Sequence, residues 1–277
     1  MKIINRLSSG LVRPKNVLSF SEDKPIITII FIFILVVIMS IPGIIQAVLA
    51  NPIDYATKTD IRESFNKEVV PYEIKDGKLV CLASGQEPEW SYVNGYYFSF
   101  LFTKSKDINK IIYYNSLYQK NYEIIVFGET SVYISLYTIV FKLCDYSDIS
   151  DFEGLNFTKS DPNNYDLWDP LFNGLSKIYS SYKPYVIAIN TIINLVSNAI
   201  SFMLMALIIT FVSRFGKVGL IPFSKSLKIS IYFMVPYALG DFLGSISGLR
   251  LLSYIGLGFT LINVFRINFI VGGSRDE

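Results

Sequence analysis

Asn190, Asn194 and Asn198 recur at i, i+4 and i+8 inside the thirty-residue run 184–213, which carries no charged side chain. At that spacing the three amides share one face of a helix, with Ser197 and Ser201 beside them. An amide turned toward hydrocarbon leaves polar atoms unpaired, so this face must meet another helix, a partner chain or water. Two chemistries fit: a polar path for a solute, or hydrogen bonds between helices contributing ~0.5–2 kcal/mol per contact. Asp241 is the one acid within the apolar stretches, where an ionised carboxylate costs ~2.5–3.5 kcal/mol. It must be paired, protonated or close to an interface, and Arg250, across a short turn, is the nearest candidate ion-pair partner. Such an acid is at once a functional candidate and a candidate half of a structural ion pair.

Other reactive groups narrow the chemistry. With no histidine among 277 residues, Ser-His and Cys-His nucleophiles, His-ligated zinc and haem, and imidazole pH switching are excluded. The carboxylates show no spacing that implies a paired acid/base site, so no catalytic residue is assigned and a non-enzymatic role is expected. The acids Asp145, Asp148, Asp151, Glu153, Asp161, Asp166 and Asp169 could gather oxygen ligands, but they lack the spacing and central glycine of an EF-hand loop. Solvated turns and helix caps suit them better; neither a metal nor a cofactor is expected. Cys81 and Cys144, the two cysteines of the chain, could form a disulfide or pack as small buried thiols. A net charge of +2 leaves no basic excess to neutralise a phosphate backbone, so nucleic acid is not an expected partner. Fifteen of the 19 tyrosines fall within residues 51–183, including Tyr96-Tyr97 and Tyr113-Tyr114. With Trp90 they could bind a carbohydrate or envelope polymer, or simply suit strands.

These groups must be positioned by elements that the charge gaps delimit. Between Lys24 and Asp54 there is no charge, and residues 26–50 suffice, at ~1.5 Å per residue, to cross a ~30 Å hydrocarbon core. A cleaved leader, with Val48 and Ala50 before Asn51, is the other option, but the apolar run exceeds the ~7–15 residues of a leader core. Further spans are expected over 184–213, 227–248 and 251–271. Gly240, Gly244 and Gly248 form a small-residue packing stripe in the third, after a kink at Pro236. Lys2, Arg6, Arg13, Lys15 and Lys24 in residues 1–25, and Arg214, Lys217, Lys225 and Lys228 in and beside loop 214–226, place both segments in the cytoplasm. The tail, 272–277, then returns to the cytoplasm. Residues 51–183, with 18 acidic and 13 basic side chains, lie outside.

Within that external segment a helix is expected over 53–67 and strands over 69–74, 78–83, 92–102, 122–127 and 132–142, with Asp76-Gly77 as a hairpin turn. Ser160, Asp161 and Pro162 read as the start of a helix that runs through Leu167 to Tyr179 into the second span. The fold class expected is an α-helical integral membrane protein of about four transmembrane helices, with an extracytoplasmic α+β domain inserted between helices one and two.

Three stretches carry a resemblance: Arg13-Pro14-Lys15 before the first span, Pro71-Tyr72-Glu73-Ile74-Lys75-Asp76-Gly77-Lys78-Leu79, and Phe223-Ser224-Lys225-Ser226-Leu227-Lys228-Ile229-Ser230-Ile231-Tyr232 running into Pro236. In this order the chain resembles the bacterial membrane family catalogued as domain of unknown function 1189, some of whose members carry the label maltodextrin utilization protein. The last stretch is similar, more loosely, to Yip1-like membrane domains. Val235 stands before Pro236, where the domain of unknown function 1189 family often has threonine. The resemblance covers most of the chain and implies the order span, external domain, multi-span bundle; it supplies no catalytic residue. The role expected is an accessory or binding protein in the cell membrane. Its external domain takes a carbohydrate, envelope ligand or partner, and its bundle sits in the lipid bilayer beside a membrane protein such as a transporter. The alternative is a small transporter or channel using the asparagine face and Asp241.

Overall fold

The computed structural model describes residues 2–116, 123–136, 139–215 and 221–273 and divides into two compact units, Asn51–Pro184 and Met1–Ala50 with Tyr185–Glu277. Tyr122, Lys217 and the end of the tail lie outside the described residues. In chain order the elements are α1 (Lys2–Val12), α2 (Pro14–Val17), a 3-10 turn (Leu18–Glu22), α3 (Pro25–Leu49), α4 (Tyr55–Phe65), β1 (Tyr72–Lys75), β2 (Lys78–Cys81), β3 (Ser91–Asn94) and β4 (Ser99–Phe102). There follow α5 (Ile108–Ser116), β5 (Glu123–Phe127), β6 (Ser131–Leu136), β7 (Ile139–Asp145), α6 (Tyr165–Arg214), α7 (Phe223–Phe233), α8 (Val235–Ser247) and α9 (Leu251–Gly273).

In the middle unit α4 starts at Asp54, whose carboxylate accepts the Thr57 N–H at 2.8 Å as an N-cap. Strands β1 and β2 turn through Asp76 (φ 51) and Gly77 (φ 70), the two left-handed positions that a tight hairpin requires. Glu153 accepts both turn N–H groups, at 2.7 and 3.1 Å. The remaining strands form one sheet in the order β3-β4-β5-β6-β7, antiparallel except for β4 and β5, which are parallel across a connection containing α5. Phe100, Phe102, Ile125 and Phe127 point to one face, into a core with Phe65, Phe157 and Trp168. Leu101, Ile124 and Val126 point to the other, against Ile111 and Ile112 of α5. Both faces are covered, which is why all four residues of β4 are buried.

Several boundaries differ from the sequence expectation. The run 92–102 divides into β3 and β4 because the Asp60 carboxylate of α4 captures the Tyr96 and Tyr97 N–H groups at 2.8 and 3.0 Å and turns the chain there. The run 132–142 likewise divides into β6 and β7. Helix α6 begins at Tyr165 rather than at Pro162. Asp161 first makes a turn, its carboxylate accepting the Asn163 N–H at 2.7 Å and its carbonyl the indole N–H of buried Trp168 at 2.7 Å.

Among the described residues, three helical stretches are long and apolar enough to cross a membrane: Pro25–Leu49, Tyr165–Arg214, which begins in the middle unit and continues into the other from Tyr185, and Phe223–Ser247. The apolar part of α9, Leu251–Ile267, is shorter. Between α7 and α8 the helix breaks at Met234 (ψ −3), and Pro236, which has no N–H to donate, sits in the first turn of α8. Phe31, Leu35, Met39, Phe202, Phe233 and Val264 form part of the core. Helices α8 and α9 approach closely: a Cβ on Gly240 would lie 2.5 Å from the Leu252 carbonyl oxygen, and one on Gly256 2.4 Å from that of Pro236. Gly244 faces Ser253, its notional Cβ 2.9 Å from the hydroxyl oxygen. Gly248 stands apart from this contact; at φ 72, with nothing within 4 Å of a notional Cβ, it is the left-handed cap of α8.

Candidate functional site

A cleft of about 700 Å³ opens in the bundle unit between α3, α6, α8 and α9. Its polar lining includes Gln46, Asn194, Asn198, Asp241, Ser253 and Arg250, with the rings of Tyr237 and Tyr254. Asn198 donates to the Ser40 hydroxyl at 3.0 Å, and Ser40 in turn donates to the Val36 carbonyl at 2.8 Å, so this amide joins α6 to α3. Asn194 packs over Gly43, where a Cβ would come within 2.4 Å of its amide oxygen, and donates back to the Asn190 carbonyl at 2.9 Å. Asn190 donates to the Val186 carbonyl at 2.9 Å and does not line the cleft. Each asparagine of the face therefore uses one side-chain N–H within the helix pair, while two of the three side chains reach the cleft.

Asp241 and Arg250 line the same cleft, but the ion pair expected between them is not formed among the described residues. About 10 Å of helix rise separates Asp241 from the cap at Gly248, and exposed Arg250 lies in the turn beyond it. Asp241 instead accepts the Ser253 hydroxyl of α9 at 3.2 Å.

A second polar cluster ties the N-terminal segment to α7. Arg6 grips Asp23 with both ends of its guanidinium, at 2.7 and 2.6 Å, and lies over the Phe20 ring at 5.0 Å. Tyr232 donates to the same carboxylate at 2.6 Å, and Lys228 to the Asp23 carbonyl at 2.6 Å. Burial pushes the Asp23 carboxyl up, but the bonds from Arg6 and Tyr232 and the charge of Lys228 outweigh it, leaving the pKa below its ordinary value. The bond to Asp23 is the main reason the Arg6 pKa is raised. Close packing completes the attachment: a Cβ on Gly10 would lie 2.2 Å from the Tyr232 carbonyl oxygen.

In the middle unit the two thiols are free, so the structure contains no Cys81–Cys144 disulfide. They occupy different sheets, Cys81 on β2 and Cys144 at the edge strand β7. Burial, with the nearby charges of Asp148 and Asp145, pushes the Cys144 thiol up to about 11. The acids are engaged locally: Asp145 and Asp148 form a reciprocal cap, Asp151 pairs with Lys177, and Glu153 and Asp161 close turns. Tyr96 and Tyr97 are exposed and pack edge to face at 5.0 Å, and Trp90 is also exposed. Tyr72, in contrast, is fully buried, and burial raises its hydroxyl to about 12. A shallow recess of about 550 Å³ runs past Glu68, Thr158, Lys159 and Asp161.

Sequence reasoning missed Gln46, Ser253 and Gly256 because each matters only through a residue on another helix. It also missed the Arg6–Asp23–Tyr232 cluster, whose one local signal is a pair of acids, Glu22-Asp23, closing an otherwise basic segment. No curated protein and no solved structure matches the chain. The family model described as "Protein of unknown function (DUF1189)" matches residues 4–268, nearly the full length, and the chain belongs to that family.

Proposed function

We propose that this chain is a non-enzymatic binding protein of the cell membrane, in which the bundle cleft holds a small polar ligand or headgroup. The carrying observation is that about 700 Å³ of space inside the apolar unit is lined by Asn194, Asn198, Asp241 and Arg250. Polar groups cost too much beside lipid to stand there without a partner. In this reading α9 is a fourth span, both termini are cytoplasmic, and the middle unit is extracytoplasmic, as the basic residues of 1–25 and 214–226 favour. The exposed Tyr96, Tyr97 and Trp90 then offer the outer surface for a carbohydrate, an envelope polymer or a partner such as a transporter.

A second reading, a small transporter or channel, draws on the same cleft, because the asparagine face and Asp241 meet there. Cysteine accessibility separates the two. In a Cys81→Ser, Cys144→Ser background, Ser253→Cys reacts with an impermeant thiol reagent from the outer side alone if the cleft is a binding site. Reaction from both sides favours a pathway. Failure to react from either side would refute a water-filled cleft altogether.

A further inference from the structure

We propose that the bundle cleft takes a zwitterion, an amine joined to a phosphate or carboxylate, with the ammonium at Asp241 and the anionic group at Arg250. This rests on the binding reading above and adds the chemistry of the ligand. One carboxylate and one guanidinium line the same cleft, yet among the described residues neither has an ion-pair partner. Partly buried Asp241 is stabilised most by a counter-charge that also hydrogen-bonds it, and Arg250, on the exposed turn, keeps its guanidinium available to grip an anion. A purely anionic or cationic ligand would leave one of the two uncompensated, and a neutral polyol would leave both.

The rest of the lining fits the same polarity. The Ser253 hydroxyl already donates to Asp241, so that carboxylate remains an acceptor, as an ammonium requires. One N–H of Asn194 and one of Asn198 are engaged by the Asn190 carbonyl and Ser40, and neither amide oxygen is hydrogen-bonded among the described residues. Their oxygens are thus further acceptors for N–H. Tyr237 and Tyr254 add aromatic surface suited to a cation, and the planar fork at Arg250 matches a phosphate or carboxylate. Such a ligand could come from the bilayer, as a phosphatidylethanolamine headgroup, or from solution, as a free amino acid or phosphoethanolamine.

The full chain, purified in detergent and exposed to equal amounts of phosphatidylethanolamine and phosphatidylglycerol, is assayed for retained lipid by native mass spectrometry. Preferential retention of phosphatidylethanolamine supports a lipid source. Stabilisation by millimolar phosphoethanolamine, without lipid preference, supports a soluble source. In either case Asp241→Asn should weaken zwitterion binding about tenfold or more, and Arg250→Gln, on the exposed turn, should weaken it similarly. If the first variant does not fold, the second carries the test. Equal retention of the two lipids with no effect of phosphoethanolamine, or binding unchanged in Arg250→Gln, would overturn the assignment. Ser253→Cys labelling keeps the two failures apart: a cleft that labels but shows no zwitterion preference refutes the ligand class and leaves the binding reading intact.

Discussion

Cys144 reacts as a thiolate, and burial has raised its pKa to about 11. In a Cys81→Ser background its alkylation by iodoacetamide at about pH 8 should be on the order of a hundredfold slower than that of an ordinary exposed cysteine. Unfolding in denaturant should abolish the difference. Asp23 gives the opposite sign. Its folded pKa lies below the ordinary 3.8, so its contribution is complete above that value and is lost as pH falls through the lowered one. Unfolding midpoints in detergent should therefore drop on acidification below about pH 4, less steeply in Asp23→Asn. That variant should also lose about 1.5–3 kcal/mol at neutral pH, because it weakens a buried guanidinium's grip. Asn198→Ala should cost less, roughly 0.5–1 kcal/mol by the same measurement, since Ser40 keeps its bond to Val36. Periodicity shows that the three asparagines share a face. It does not show which way each amide turns, because that depends on Ser40 and Gly43, more than a hundred residues earlier.

Helices α8 and α9 hold together through absent side chains, so bulk there should act as a wedge. Gly256→Val should lower detergent stability by about 1–3 kcal/mol or more. Gly258→Ala, which meets nothing within 4 Å, should be neutral or gain up to about 1 kcal/mol from helix propensity. Thermal unfolding of the two variants in parallel checks the contrast. The half of this contact on α8 is readable as an i+4 repeat; the half on α9, Gly256, has no repeat around it and emerges only when Pro236 and Gly240 are placed opposite. Local chemistry also made the Asp76-Gly77 hairpin legible, since two left-handed residues leave few alternatives. The division of 92–102 was hidden, because a uniformly aromatic run is cut by a carboxylate on α4. The parallel pairing of β4 and β5 was hidden too, since it depends on where α5 returns the chain.

For the whole molecule, gaps in charge carry most of the information: apolar runs too long for a small soluble core mark the three long helices. Sidedness is a further expectation with its own check. In cells lacking both native cysteines, Gln86→Cys in the middle unit should label with an impermeant maleimide, and exposed Ser224→Cys should label only after permeabilisation. The reverse pattern would invert the topology. The Arg6–Asp23–Tyr232 cluster bears on how such a chain is made. Arg6 and Asp23 leave the ribosome early, but Tyr232 follows 209 residues after Asp23. The opening segment must therefore wait, half-attached, until α7 arrives. A nascent chain truncated near residue 215 should leave that segment open to proteases, so its protection would report the moment at which assembly finishes.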